Sequence, residues 1–247
     1  MSSSPSPSPA GNELNDEIMT EDSGDSSEYE EKESGICQGL KDLFTNAPYI
    51  LLCLSLTFLY FVITGIQYWV SDYLIETLKV TRNQVFVTFA IVSITGPVFG
   101  VIIGGNVTTY LGGYNSKHAL YLSMGTAVLC VFSAAPIPFI SNFPLFVVLL
   151  WFLLFFGGAI LPCMTGIMLN TVPKSLKTTA NSIANLSYNL IGYLPAPSIY
   201  GLIYDSGEGK NAREAMATLM FTPTLSVIFL FTGAYYIVKN DILNYKL

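Results

Sequence analysis

Six stretches of this chain, at about residues 48–74, 83–108, 118–138, 143–170, 179–204 and 217–238, are each as long as the roughly 20 apolar residues a helix needs to cross a bilayer, or longer. Polar or turn-forming connectors separate them: ETLKVTRNQ, GGYNSKH, PIPFISNFP, PKSLK and DSGEGKNARE. Hydrocarbon offers backbone groups no partner, so only helices or closed barrels can traverse it. The period-two alternation of a barrel strand is absent. The sequence therefore predicts an all-α membrane protein with six transmembrane helices.

Composition agrees. Hydrophobic residues make up 51% of the chain and charged residues 11%, against about 25% charged in soluble domains. The charge is also segregated. Ten of the seventeen acidic residues lie between Glu13 and Glu33, where Lys32 is the sole base. Seven acids and ten bases remain elsewhere, so the formal charge of −6 belongs to the N-terminal segment and says nothing about a substrate. There is no basic patch of the kind that binds nucleic acid. The four cysteines are scattered, without the spacing of a metal site or disulfide framework. The first apolar run begins near residue 47 and is too long for a signal peptide.

Residues 1–35, rich in Ser, Pro and acid, are expected to form a disordered cytoplasmic tail, since they cannot bury enough surface to offset ordering entropy. In ICQGLKDLF, Ile36, Leu40, Leu43 and Phe44 fall on one helical face, which predicts an interfacial amphipathic helix over 36–46. The six-span bundle would then occupy 47–247. With the N-terminus cytoplasmic, Lys41, Lys117, Lys174, Lys177, Lys239 and Lys246 lie inside, and Lys79, Arg82, Lys210 and Arg213 outside. That bias places both termini in the cytoplasm.

The apolar cores contain no Asp, Glu, Lys or Arg; Asp72 and Glu76 come only at the outer end of the first span. Intramembrane charges mark proton relays and ion sites, so no coupling apparatus is visible. No clustered carboxylates, metal-ligand set or nucleophile–base pair suggests an enzyme, a cofactor or a metal. His118, the single histidine, reads as an interfacial side chain. The uncharged polar residues, by contrast, are ordered. Thr57, Tyr60, Thr64, Gln67 and Ser71 form a stripe on the first span, and Asn181, Asn185 and Asn189 recur every four residues on the fifth. An unpaired amide facing lipid is costly. Such stripes either bond neighbouring helices or line a wetted cavity that touches solute. Trp69, Tyr73, Trp151, Tyr235 and Tyr236 read as interfacial anchors or lipid-facing filler.

In the second span, Gly96, Gly100 and Gly104 form a ridge that admits a second helix closely, and Pro97 predicts a bend. The fifth span carries Gly192, Pro195 and Pro197. Interruptions at Gly96–Pro97 and at Gly192–Pro197 occupy corresponding places if the bundle is a 3+3 inverted repeat, a pattern that points to a transporter.

These six spans resemble the C-terminal half of a major facilitator superfamily transporter, with the acidic tail and interfacial helix matching its central linker. GNVTTYLGGY, from Gly105, falls where that family carries a glycine-framed loop motif. Gly105 and Gly112 match, whereas Thr109 and Tyr110 replace an acid and an arginine. LIGYLPAPSIYGLIYD is similar to the eleventh span of organic-anion-transporting polypeptides and, more loosely, to spinster-like transporters of the same superfamily. The resemblance implies that spans one, two, four and five line a central path. It also implies that the glycine ridge faces a partner this chain does not supply.

The expected function is transport of a small organic or amphipathic, lipid-like solute by alternating access, as a half or a fragment of such a transporter. The partners would be the bilayer, the solute, and a matching N-terminal half or a second copy. Thr64, Gln67, Asn181, Asn185 and Asn189 are the expected solute contacts. Gly96, Pro97, Gly100, Gly104, Gly192, Pro195 and Pro197 would serve packing and hinge roles. The alternative is a non-transporting membrane subunit or truncated pseudo-transporter whose stripes serve assembly alone.

Overall fold

The computed structural model describes residues 39–206 and 211–242. The chain divides into two compact units, Met1–Thr45 and Asn46–Leu247. In the first, residues 39–45 are helical and the Thr45 hydroxyl donates to the Lys41 carbonyl at 2.8 Å. The expected disordered tail, residues 1–35, lies outside the described residues.

The second unit is helical throughout its ordered elements. Helix α1, Ala47–Glu76, begins at Asn46, whose side-chain oxygen accepts from the Tyr49 amide at 3.2 Å. This N-cap satisfies a donor the helix itself cannot. The Asn46 amide group also donates to the Thr171 carbonyl at 2.9 Å. Helices α2 (Arg82–Tyr110), α3 (Lys117–Ala134) and α4 (Phe143–Asn170) follow. Ser116 and Asn142 cap α3 and α4 in the same way, accepting from Ala119 and Leu145. Between α2 and α3 the chain reverses through Gly112 (φ +98°) and Gly113 (φ +78°), backbone conformations that glycine adopts without strain.

The fifth traverse is composite. Helix α5 (Lys177–Ser187) runs into a π-helical segment (Tyr188–Tyr193) and then α6 (Pro195–Asp205). Helix α7, Ala212–Lys239, completes the unit. Among the described residues, five helical spans (α1, α2, α3 with the 3-10 turn that follows it to Phe139, α4 and α7) are long and apolar enough to cross a membrane. The sixth is the interrupted one. The chain is an integral, multi-pass membrane protein.

Helix α1 is the centre of the packing, lying against α4, α7, the π segment and α6. Two thirds of its most apolar window (67%) is buried, against 17% for α2. Ser55 and Ser226 tie α1 to α7 reciprocally. Each hydroxyl donates to the other residue's carbonyl, at 2.7 and 2.8 Å, deep in the apolar interior. Such bonds answer the polar groups lipid cannot.

Two expectations need correction. The glycine ridge of α2 is not left open for an absent partner, because it is filled by α4. A Cβ at Gly100 would stand 2.1 Å from the Phe155 carbonyl oxygen, and one at Gly104 2.3 Å from that of Ala159. At Gly96 the nearest atom is Leu154 Cβ, at 3.1 Å. Gly158 reciprocates, with the Pro97 carbonyl oxygen 2.7 Å from where its Cβ would lie. Nor is α2 interrupted at Gly96–Pro97. The helix runs through Pro97. Flanking hydroxyls return to the backbone there, Ser93 to Phe89 at 2.5 Å and Thr95 to Ile91 at 2.7 Å. Side-chain hydroxyls and a tightly packed neighbour allow a membrane helix to carry proline.

Three of the aromatics expected to be anchors or filler also prove structural: Trp69 donates its indole N–H to the Pro197 carbonyl at 3.1 Å. Tyr73 is 2% exposed, and Trp151 donates its indole N–H to Thr95 at 3.0 Å.

Candidate solute-facing site

The polar stripe of α1 splits into two lines. At about 100° per residue, Thr57, Thr64 and Ser71 form one row, and Tyr60 and Gln67 a second displaced by roughly 50°. Thr57 and Thr64 are each 1% exposed. Their hydroxyls donate back along α1 to Cys53 and Tyr60, both at 2.9 Å. Thr64 therefore presents no free group to a solute in this conformation. Gln67 is exposed and Tyr60 half-buried.

The second row meets the fifth traverse where that traverse leaves α-helical geometry. Pro195 and Pro197 cannot donate to Ile191 and Tyr193, and the backbone widens so that the Leu194 amide reaches the Asn189 carbonyl, five residues back, at 3.0 Å. Gly192 sits in this turn against α1; a Cβ there would meet the Thr57 carbonyl oxygen at 2.6 Å. The close approach places Tyr188 on Tyr60 (ring centroids 4.9 Å, 14° between planes) and Tyr193 beside it (5.9 Å). The Tyr193 hydroxyl donates to Gln67 Oε1 at 3.4 Å.

Gln67 also borders an apolar cleft of about 70 Å³ between α1, α2, α3 and α4, walled by residues such as Ile63, Ile66, Phe89, Leu154 and Leu161. The same amide thus belongs to an aromatic, hydroxyl-bearing cluster on one side and an aliphatic cleft on the other.

Asn181, Asn185 and Asn189 all lie on the exposed face of the fifth traverse. Asn185 donates to the Asn181 carbonyl and Asn189 to that of Asn185, each at 2.8 Å. These bonds hold the amides along the helix and leave their carbonyl oxygens and second N–H groups outward. Among the described residues, no hydrogen bond joins the asparagines to Gln67 or Thr64. The structure links Gln67 to the fifth traverse through Tyr193 instead.

Tyr188 and Tyr193 were not anticipated from the sequence. Five residues apart, they share no face of an α-helix, and only the π turn brings both onto Tyr60. The signal that could have found them is Gly192 just before a proline pair, between two tyrosines. Among the described residues, no group of three or more His, Cys, Asp or Glu could hold a metal ion.

Comparison with known proteins gives the fold a context. Residues 7–197 match the family model of the Major Facilitator Superfamily. No curated protein matches the chain. Among solved structures, the chain is similar to a bacterial homolog of the human lysosomal transporter Spinster, in an inward-facing and occupied conformation. The TM-score is 0.68 at 13% identity, covering 78% of this chain and 50% of that one. The same description in an inward-facing and unoccupied conformation gives 0.60 at 14% identity, covering 83% and 50%. Identity this low shows the fold alone. The chain spans about half the length of these solved structures.

Proposed function

The chain belongs to the major facilitator superfamily, and on that premise we propose that it moves a small organic or amphipathic, lipid-like solute by alternating access, as one half or a fragment of a transporter. The observation that carries this reading is the position of Gln67, between the Tyr60–Tyr188–Tyr193 cluster and the apolar cleft. A solute with a polar end and an aliphatic body finds both environments at that one side chain.

Asn181, Asn185 and Asn189 extend the polar surface along the fifth traverse, facing away from the packed unit. That face suits a central path closed on its other side by a matching N-terminal half or a second copy. Thr64 moves from solute contact to packing. Gly96, Pro97, Gly100 and Gly104 hold α2 on α4, while Gly192, Pro195 and Pro197 supply the adaptable turn of the fifth traverse. Both termini face the cytoplasm in this reading.

Solute flux into proteoliposomes, with this chain combined with a matching N-terminal half, tests the proposal. Gln67→Leu and Asn185→Leu should each weaken apparent affinity about tenfold, the scale of one lost hydrogen bond to a bound polar group. Thr64→Val should leave flux unchanged. Unaltered flux and affinity in both leucine variants would remove these residues from the site.

A further inference from the structure

Two prolines stand inside the helices that wall the apolar cleft beside Gln67, Pro97 in α2 and Pro162 in α4. Neither has an N–H to offer the residue four positions back. The Ser93 and Gly158 carbonyls therefore each lack the donor that a regular helix supplies. Ser93 and Gly158 both line the cleft. The side-chain donors there are spent elsewhere, the Ser93 hydroxyl on the Phe89 carbonyl at 2.5 Å and the Cys130 thiol on the Leu153 carbonyl at 3.8 Å. Among the described residues, no side chain donates to either freed carbonyl. An acceptor without its donor in an apolar interior is costly.

Charge and space narrow what can answer these acceptors. Among the described residues lining the cleft there is no Asp, Glu, Lys, Arg or His, so neither an anion nor a cation finds a counter-charge. Two adjacent glycines of α4 differ in what their missing side chains leave. A Cβ at Gly158 would stand 2.7 Å from the Pro97 carbonyl oxygen, so that glycine is used up in helix contact. One at Gly157 would meet nothing nearer than Leu59 Cδ1, at 3.9 Å. Gly157 thus leaves room on the cleft itself. The volume, about 70 Å³, is half that of the roughly 150 Å³ cavities that admit a benzene ring. It seats a short length of slender chain rather than a ring or a branched body.

We infer that this cleft receives the uncharged hydroxyl end of an unbranched aliphatic chain, an assignment that rests on the reading of Gln67 as a solute contact. Gln67 Oε1 already accepts from Tyr193, which leaves Nε2 to donate. A hydroxyl suits both partners, donating to a freed carbonyl and accepting from the amide nitrogen. A carboxylate can only accept, and it enters without a cation. An ammonium can donate, but it enters without a carboxylate. The solute class narrows to linear alcohols. A short alcohol taken from water and a longer one held in the bilayer share that chemistry.

With the full chain in detergent, hexan-1-ol should raise the thermal midpoint saturably, measured against Gly157→Leu, in which the leucine fills the cleft. At neutral pH, hexanoate and hexylammonium should bind about tenfold more weakly or not at all. Gly157→Ala, whose added methyl has room, should keep its helix content by circular dichroism and weaken hexan-1-ol about threefold. Pro97→Ala combined with Pro162→Ala returns an N–H to each carbonyl. That variant should weaken hexan-1-ol about fivefold and leave 1-fluorohexane, which has no donor, unchanged. Saturation by hexan-1-ol shows that a water-borne alcohol is sufficient, and a response to hexadecan-1-ol alone assigns a chain held in the bilayer. Hexanoate binding as tightly as hexan-1-ol overturns the hydroxyl assignment. So does the absence of a saturable shift with either alcohol, or a shift that survives both glycine variants. Gln67 as a solute contact is judged separately, by flux in Gln67→Leu.

Discussion

Gly192 stands so close to α1 that a Cβ built on it would lie 2.6 Å from the carbonyl oxygen of Thr57. The absent side chain and the π turn together bring Tyr188 and Tyr193 around Tyr60. Backbone cannot yield as a flexible side chain can, so Gly192→Ala should force the two helices apart. The expected cost is about 1–3 kcal/mol, the usual scale of overpacking, seen as a lower thermal midpoint in detergent. An unchanged midpoint would show that the contact is looser than described.

The glycines of α2 give a contrast within one helix. Gly100 abuts the Phe155 carbonyl, whereas Gly105 has nothing within 4 Å of a built Cβ. Gly100→Ala should destabilise the isolated chain, while Gly105→Ala should be neutral or stabilise it by up to about 1 kcal/mol through helix propensity. Equal midpoints for the two variants would mean that the ridge is not consumed by α4.

Ser55 and Ser226 exchange two hydrogen bonds across α1 and α7. Interhelical bonds in membrane proteins average about 0.6 kcal/mol, so each single alanine variant should be mildly destabilised. Because the pair acts as a unit, the double variant should lose less than the sum of the singles. Strict additivity in a double-mutant cycle would contradict the reciprocal arrangement.

Pro195 and Pro197 deny the fifth traverse two backbone donors. Replacing both with alanine should restore α-helical bonding and raise the thermal midpoint, by about 1–3 kcal/mol in stability. The same change should slow solute flux, since the turn is then less able to adapt. Faster flux from the stabilised variant would count against the hinge role.

Much of this architecture was legible in the sequence, for a definite reason. Bilayer thickness sets a length that apolar runs must meet, and all six do. The Gly192 and Pro195–Pro197 signals marked the place where the fifth traverse leaves α geometry, since missing donors act locally. The same reasoning failed at Pro97, where Ser93, Thr95 and the packed surface of α4 keep α2 continuous. The hydroxyl bonds are local, but the packing against α4 is tertiary and leaves no periodic trace. The polar stripe of α1 read as one face because its spacings of three and four average 3.5, close to the 3.6 of an α-helix. The small offset between rows buries Thr64 and exposes Gln67. Tyr188 and Tyr193 were invisible to α-helical periodicity because a π turn joins them.

The most direct measurement of the central claim, that the asparagine face borders a water-filled path, is thiol accessibility in membranes. Cys53, Cys130 and Cys163 are buried, so in a Cys37→Ser background new cysteines dominate the reaction with a membrane-impermeant reagent. In chain assembled with a matching N-terminal half, cysteines at 181, 185 and 189 should label readily and be protected by bound solute, while one at Thr64 should stay unreactive. Uniform resistance at all three asparagine positions would place that face in packed protein or lipid and contradict the account.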